Sequence, residues 1–98
     1  MNSTTTLRLD GDLNIQAAAS TRETLRAALA QSRGDLVLDL SLVQGCDSAG
    51  VQLLLAARRT LAARGRALRL AEPAPAVVEA LTTLGLQALL PARNGAPS

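Results

Sequence analysis

The chain contains no histidine, phenylalanine, tyrosine or tryptophan, and all 10 of its basic residues are arginine. Histidine is the commonest general base and metal ligand, so its absence argues against a hydrolase and against a zinc site. With no aromatic faces there is nothing for nucleobases to stack on, which weighs against single-strand nucleic-acid binding. The lack of lysine removes both the lysine-dependent phosphate loop and Schiff-base chemistry, and nucleotide hydrolysis loses ground with them. A single cysteine, Cys46, excludes an internal disulfide. No apolar run is long enough to span a bilayer or has the form of a signal peptide, so the expectation is a cytoplasmic, reduced setting without direct membrane insertion.

What remains is a chain of 98 residues, 48% hydrophobic and almost wholly aliphatic. That length suits one domain with one core, built here from alanine, leucine and valine. The formal net charge of +2 is too small to draw nucleic acid or anionic lipid through the general field of the protein. No cofactor or metal site is expected.

Thr4 to Leu9 alternates in hydropathy, as does Leu13-Asn14-Ile15, and Asp10-Gly11-Asp12 lies between them. This pattern predicts two short strands joined by a tight turn. From Ala18 to Ser32 the spacing is helical, with Leu25, Ala28, Leu29 and Ser32 on one face. Ser20 and Glu23 have the spacing of a capping box, which would start the helix at Ser20. Leu36 to Leu40 is nearly continuously apolar and predicts a central strand. A second helix is expected over about Ala49–Arg64, stopped by Gly65 in the C′ position. Ala67 to Ala71 reads as a strand with Leu68 and Leu70 buried. Pro73 then opens a last helix with Val77, Val78, Leu81 and Leu84 inward and Gly85 as its stop. Leu86, Leu89 and Leu90 add a closing strand or turn, and 92–98 reads as a flexible tail. The expected fold is α/β: one domain over residues 1–91, with a mixed four- to five-stranded sheet covered by amphipathic helices.

The most informative stretch is Gly45-Cys46-Asp47-Ser48-Ala49-Gly50-Val51, which sets a small hydroxyl where a loop becomes a helix. Ser48 or Asp47 can cap that helix by accepting a hydrogen bond from an orphan amide. Gly50 in the first turn costs up to about 1 kcal/mol against alanine, so either close packing or a partner's approach to the backbone must require it. Projecting the helix places Arg58 among Val51, Leu54, Leu55, Leu61 and Ala62. Its stem covers the core edge with the guanidinium in water, or else it presents charge, with Arg59, to an acidic partner surface. Cys46 has no neighbouring base and reads as a small buried hydrophobe. Arg64, Arg66 and Arg69 cluster about Gly65 as a solvated rim or a phosphate patch. Asp39 and Asp47 do not qualify as an acid/base pair on spacing alone.

In order along the chain, Gly11-Asp12-Leu13-Asn14-Ile15, Asp39-Leu40-Ser41, Asp47-Ser48-Ala49-Gly50-Val51, Arg64-Gly65-Arg66-Ala67-Leu68-Arg69-Leu70 and Pro73-Ala74-Pro75-Ala76-Val77 resemble the STAS family, which includes bacterial anti-sigma factor antagonists. The resemblance covers nearly the whole chain. It implies a non-enzymatic regulatory domain in signal transduction that binds a partner through residues 47–59. The contact residues it implies are Asp47, Ser48, Ala49, Gly50, Gln52, Arg58 and Arg59. In the antagonists the hydroxyl after the aspartate is phosphorylated by an anti-sigma factor that is itself a kinase, which implies phosphorylation of Ser48. Ala49 stands where many antagonists carry a second hydroxyl. STAS domains with a single hydroxyl here also occur as small subunits docking on the ATPase of lipid-transport ABC systems and in chemotaxis clusters. The implied partner is therefore an anti-sigma factor of the serine-kinase type, an ABC transporter ATPase or a chemotaxis kinase.

Overall fold

A computed structural model of the chain describes residues 4–91. These run as β1 (Thr5–Arg8), a 3-10 turn (Ile15–Ala17), α1 (Ala18–Gln31), β2 (Leu36–Asp39), α2 (Ser48–Ala63), β3 (Leu68–Ala71), α3 (Pro75–Thr83) and a second 3-10 turn (Gln87–Leu89). The strands form one parallel sheet in the order β1-β2-β3. Both crossovers step the same way along the sheet, and right-handed connections then put α1 and α2 on one face. The register aligns Leu7, Leu38 and Leu70 in one inward row and Thr6, Val37 and Arg69 in an outward one.

The inner face of β2 is the centre of the core. Leu36, Leu38 and Leu40 are fully buried, packed with Val43, Val51, Leu54, Leu61, Val77 and Leu81. At this size, deleting any one of those side chains would cost about 2–5 kcal/mol. The outer face of the sheet is polar, and exposed Arg8 pairs there with Asp39 at 3.2 Å. Such a pair is worth at most about 1 kcal/mol. Two donors from Ser41, its hydroxyl and its amide, join Arg8 in holding the Asp39 carboxyl below the usual carboxylate range.

The sheet differs from the expected mixed one of four to five strands: among the described residues it has three, all parallel. The hairpin predicted around Asp10-Gly11-Asp12 does not form. Asp12 instead accepts the amides of Gln44 at 3.3 Å and Gly45 at 3.1 Å, and Leu13 makes a single parallel bridge to Cys46. A side chain that binds distant backbone has overridden a local turn signal. The segment after β1 is thereby fastened to the loop before α2.

Helix ends follow local chemistry, with the starts of α1 and α3 differing from those expected. Asn14 caps the first 3-10 turn through the Ala17 amide at 2.9 Å, and α1 follows directly at Ala18. The Ser20–Glu23 capping box is therefore not formed; Ser20 sits inside the helix, its carbonyl accepting from the Thr24 hydroxyl. The last helix begins at Pro75, not Pro73, because proline forces the residue before it out of the helical region; Ala74 is extended at φ −65° and ψ 160°. Within α3, Val77 and Leu81 are buried, but Val78 and Leu84 are exposed. Leu86, Leu89 and Leu90 pack on the core from the 3-10 turn rather than from a strand.

Gly65 and Gly85 stop their helices as expected, at φ 71° and 74°. In each case the two following amides return to the last turn, Gly65 to Ala62 and Arg66 to Leu61, Gly85 to Thr82 and Leu86 to Leu81, which is the Schellman closure. Each of the arginines about Gly65 makes a contact at the protein surface. Arg66 donates to the Ser32 carbonyl at 2.6 Å and Arg64 to that of Leu29 at 3.4 Å, where cations suit the end of α1. Arg69 pairs with Asp35 at 3.5 Å. The tail expected over 92–98 lies outside the described residues.

Candidate interaction site

The start of α2 is held by one residue acting in two directions. Asp47 is the N-cap, extended at φ −118° and ψ −173°. One carboxylate oxygen accepts from the Gly50 amide at 3.1 Å and the other from the Ile15 amide at 3.1 Å. Its own amide donates to the Leu13 carbonyl at 2.9 Å, and the Leu13 amide donates to Gly45 at 2.8 Å. The helix start and the Leu13–Ile15 segment are thus tied side by side. Chiefly the Gly50 amide, helped by those of Ile15 and Ala49 and opposed by partial burial, holds the Asp47 carboxyl below its ordinary value.

Gly50 makes this contact possible. It is buried, and a Cβ there would lie 2.6 Å from the carbonyl carbon of Leu13 and closer still to its oxygen. Of the two readings of this glycine, packing is the one realised, and as a buried residue it leaves the set of surface contacts. Its neighbours divide by face. Ser48 is exposed as the first helical residue, and Gln52, Arg58 and Arg59 are exposed, while Ala49 is half-buried. The buried stripe is Gly50, Val51, Leu53, Leu54, Ala57 and Leu61. Arg58 and Ala62 fall outside it because the close approach at Gly50 turns the helix toward its small residues; the stripe expected from leucine and valine spacing alone is rotated from the true one.

Capping is supplied by Asp47, which leaves the Ser48 hydroxyl outside that network. Ser48 opens onto a cleft of about 380 Å³ between the start of α2 and α3, where Cys46 and Asp47 face Ala76, Glu79 and Thr83. Glu79 was not a sequence candidate; nothing in its local pattern sets it apart from any exposed helical glutamate, and only the packing of α3 on α2 brings it here. Burial, with the charge of Asp47 beside it, pushes the Cys46 thiol up, so it is a poor nucleophile at neutral pH. Arg58 and Arg59 lie about 15 Å further along the helix axis, and the structure does not bring them to Ser48. Asp39 and Asp47 are each engaged in separate networks, and neither faces the other as an acid/base pair.

The cap and the buried helix-to-loop contact leave the Ser48 hydroxyl exposed at the edge of the α2–α3 cleft. Residues 2–91 match the family described as Mlab, STAS domain. The chain belongs to the STAS-domain family. Its fold is similar to that of the anti-sigma factor antagonist SpoIIAA in its unphosphorylated form, with a TM-score of 0.74 and 25% sequence identity over 97% of this chain and 84% of that one. No match is found among curated proteins. Among the described residues no helix is long and apolar enough to cross a membrane.

Two measurements test this geometry. Helix propensity alone makes Gly50→Ala stabilising by about 1 kcal/mol, whereas the contact with Leu13 makes it destabilising by about 3 kcal/mol; the sign of the change in urea unfolding decides. For Asp47, a folded pKa below the ordinary 3.8 means its stabilisation is complete above that value and is lost as pH falls through the lower, folded one. Wild type should therefore exceed Asp47→Asn in stability at pH 7, and the gap should close at strongly acid pH. A gap independent of pH would show that the carboxylate charge is not what holds the cap.

Proposed function

We propose that this domain, spanning residues 1–91, is a non-enzymatic cytoplasmic switch of the anti-sigma factor antagonist type, binding a regulatory protein through the start of α2. The observation that carries this reading is the exposed Ser48 hydroxyl at the first helical position, with the capping duty taken by Asp47. A phosphate on Ser48 needs no unfolding to form. It would sit at the positive end of the α2 dipole, which favours an anion. Its two or so added negative charges would join Asp47 and Glu79 around the cleft and repel an acidic partner surface or abolish close contact there. The partner is an anti-sigma factor with serine-kinase activity, and Ala49, Gln52, Arg58 and Arg59 extend the contact surface along the helix.

Ala49, in place of a second hydroxyl, favours a second reading: an accessory subunit docking through the same helix on the ATPase of a lipid-transport ABC system, or on a chemotaxis kinase, without phosphorylation. The charge balance gives neither reading a role for nucleic acid.

A kinase reaction with the cognate anti-sigma factor should place phosphate on Ser48, and Ser48→Ala should abolish the label. Ser48→Asp should weaken partner binding about tenfold or more with an unchanged melting temperature, since the side chain supports no fold contact. Equal labelling of Ser48→Ala, or unchanged affinity of Ser48→Asp, would remove Ser48 as the control point. Co-purification with a transporter ATPase and an unmodified Ser48 would establish the second reading instead.

A further inference from the structure

The flank of α2 that faces α1 carries a second concave region, which shares no lining residue with the Ser48 cleft but is bordered by Ala49, Gln52 and Arg59 of the proposed contact surface. Two depressions of about 310 Å³ and 420 Å³ share Arg22, Leu53 and Ala56 and so form one trough along the α1–α2 seam. Its floor is aliphatic, with Leu25 and Leu29 from α1 and Leu53 and Ala56 from α2. Ile15, 68% exposed, extends the apolar lining at the end nearest the start of α2.

The rim is cationic. Arg22, Arg26 and Arg64 border one part of the trough and Arg22 and Arg59 the other. Arg26 has only a loose pair with Glu23 at 3.9 Å, both side chains being 70% exposed. Arg22 and Arg59 have no ion-pair partner among the described residues. α2 contains no acidic residue, and α1 contains only Glu23. Arg22, Arg26, Arg58 and Arg59 against Glu23 give α1 and α2 together a charge of +3 in a chain whose total is +2, so the rest of the molecule is net acidic. Basic charge is thus concentrated on the two helices that line the trough.

We propose that the α1–α2 trough is the docking site for an acidic amphipathic helix of a partner protein. Leucine-type side chains of that helix enter the floor at helical spacing, and its flanking glutamates or aspartates meet Arg22, Arg26 and Arg59. The occupant must be helical because the aliphatic floor offers no row of backbone donors and acceptors; an extended peptide would press unpaired amides onto it, whereas a helix satisfies its own. The trough is open along its length, so an acyl chain would keep one side in water. A second copy of this chain does not fit either, since α1 and α2 are basic and α3, with nine residues, carries only Glu79. The inference rests on the proposed reading only in taking the domain to bind a protein, and it does not require phosphorylation of Ser48.

The test titrates the isotope-labelled chain with a designed peptide of about 18 residues, long enough to run along α2, with leucines on one face and glutamates flanking them; a control peptide replaces the glutamates by lysines. The expected result is saturable binding in the sub-millimolar range, with shifts centred on Arg22, Leu53, Ala56 and Arg59. Ala56 is exposed, so Ala56→Glu should keep the wild-type melting temperature and lose about tenfold in affinity. The pair Arg22→Glu and Arg59→Glu should lose the acidic peptide and gain the basic one. Ser48→Asp should bind the acidic peptide as wild type does, which separates failure here from failure of the switch. Shifts centred on the α2–α3 cleft, or equal binding of the lysine peptide by wild type, would overturn the proposal. So would the absence of peptide binding, whether alone or with phosphatidylglycerol vesicles or self-association occupying the trough.

Discussion

The contact of Gly50 with the Leu13 backbone, fastened by Asp47, is the constraint on which the rest of this molecule depends. Remove the room at Gly50 and the first turn of α2 cannot reach the segment that follows β1. Without Asp47 the helix start and the Ile15 amide both lose their partner. This pairing explains why the chain after β1 does not turn back as a hairpin. It continues across the helix face, bridges Cys46 through Leu13, and enters α1 through a 3-10 turn. The sheet is parallel because that connection is a crossover, and the two helices share a face because two crossovers follow in the same direction.

The same constraint arranges the surface. Because Asp47 caps the helix, Ser48 bears no structural duty and faces solvent at the edge of the α2–α3 cleft. Because Gly50 and Ala57 turn α2 toward the core, its arginines stay exposed and its α1 flank keeps an open trough. On the two proposals, one helix would serve two kinds of recognition chemistry: a hydroxyl-bearing start among acidic neighbours, and an apolar seam edged with positive charge. Partner binding at the first and second-helix seam would leave the polar outer face of the sheet free.

Elements whose signals are local were legible in the chain. The central strand at Leu36–Asp39, the extent of α2 and the glycine stops at Gly65 and Gly85 all follow from periodicity and terminal chemistry. The Asp47–Ser48 junction was equally visible, both as a helix start and through the ordered resemblance to the STAS family. What escaped depends on contacts between distant segments. The Asp-Gly turn signal at Asp10-Gly11 lost to bonds from Asp12 to residues 44 and 45. The rotation of α2 was set by a backbone met only in three dimensions, and Glu79 entered the site through helix packing. Asn14 was a cap readable in principle, but the alternating hydropathy around it pointed to a strand instead.

The central claim is that α2 and its clamped start form the partner-binding surface of this STAS domain. Hydrogen exchange of the chain, free and in complex with the partner it is isolated with from native cells, tests it most directly. The account predicts added protection over residues 48–59 with little change along the outer sheet rows of Thr6, Val37 and Arg69. Protection confined to those outer rows, with the exchange of α2 unchanged, would contradict it.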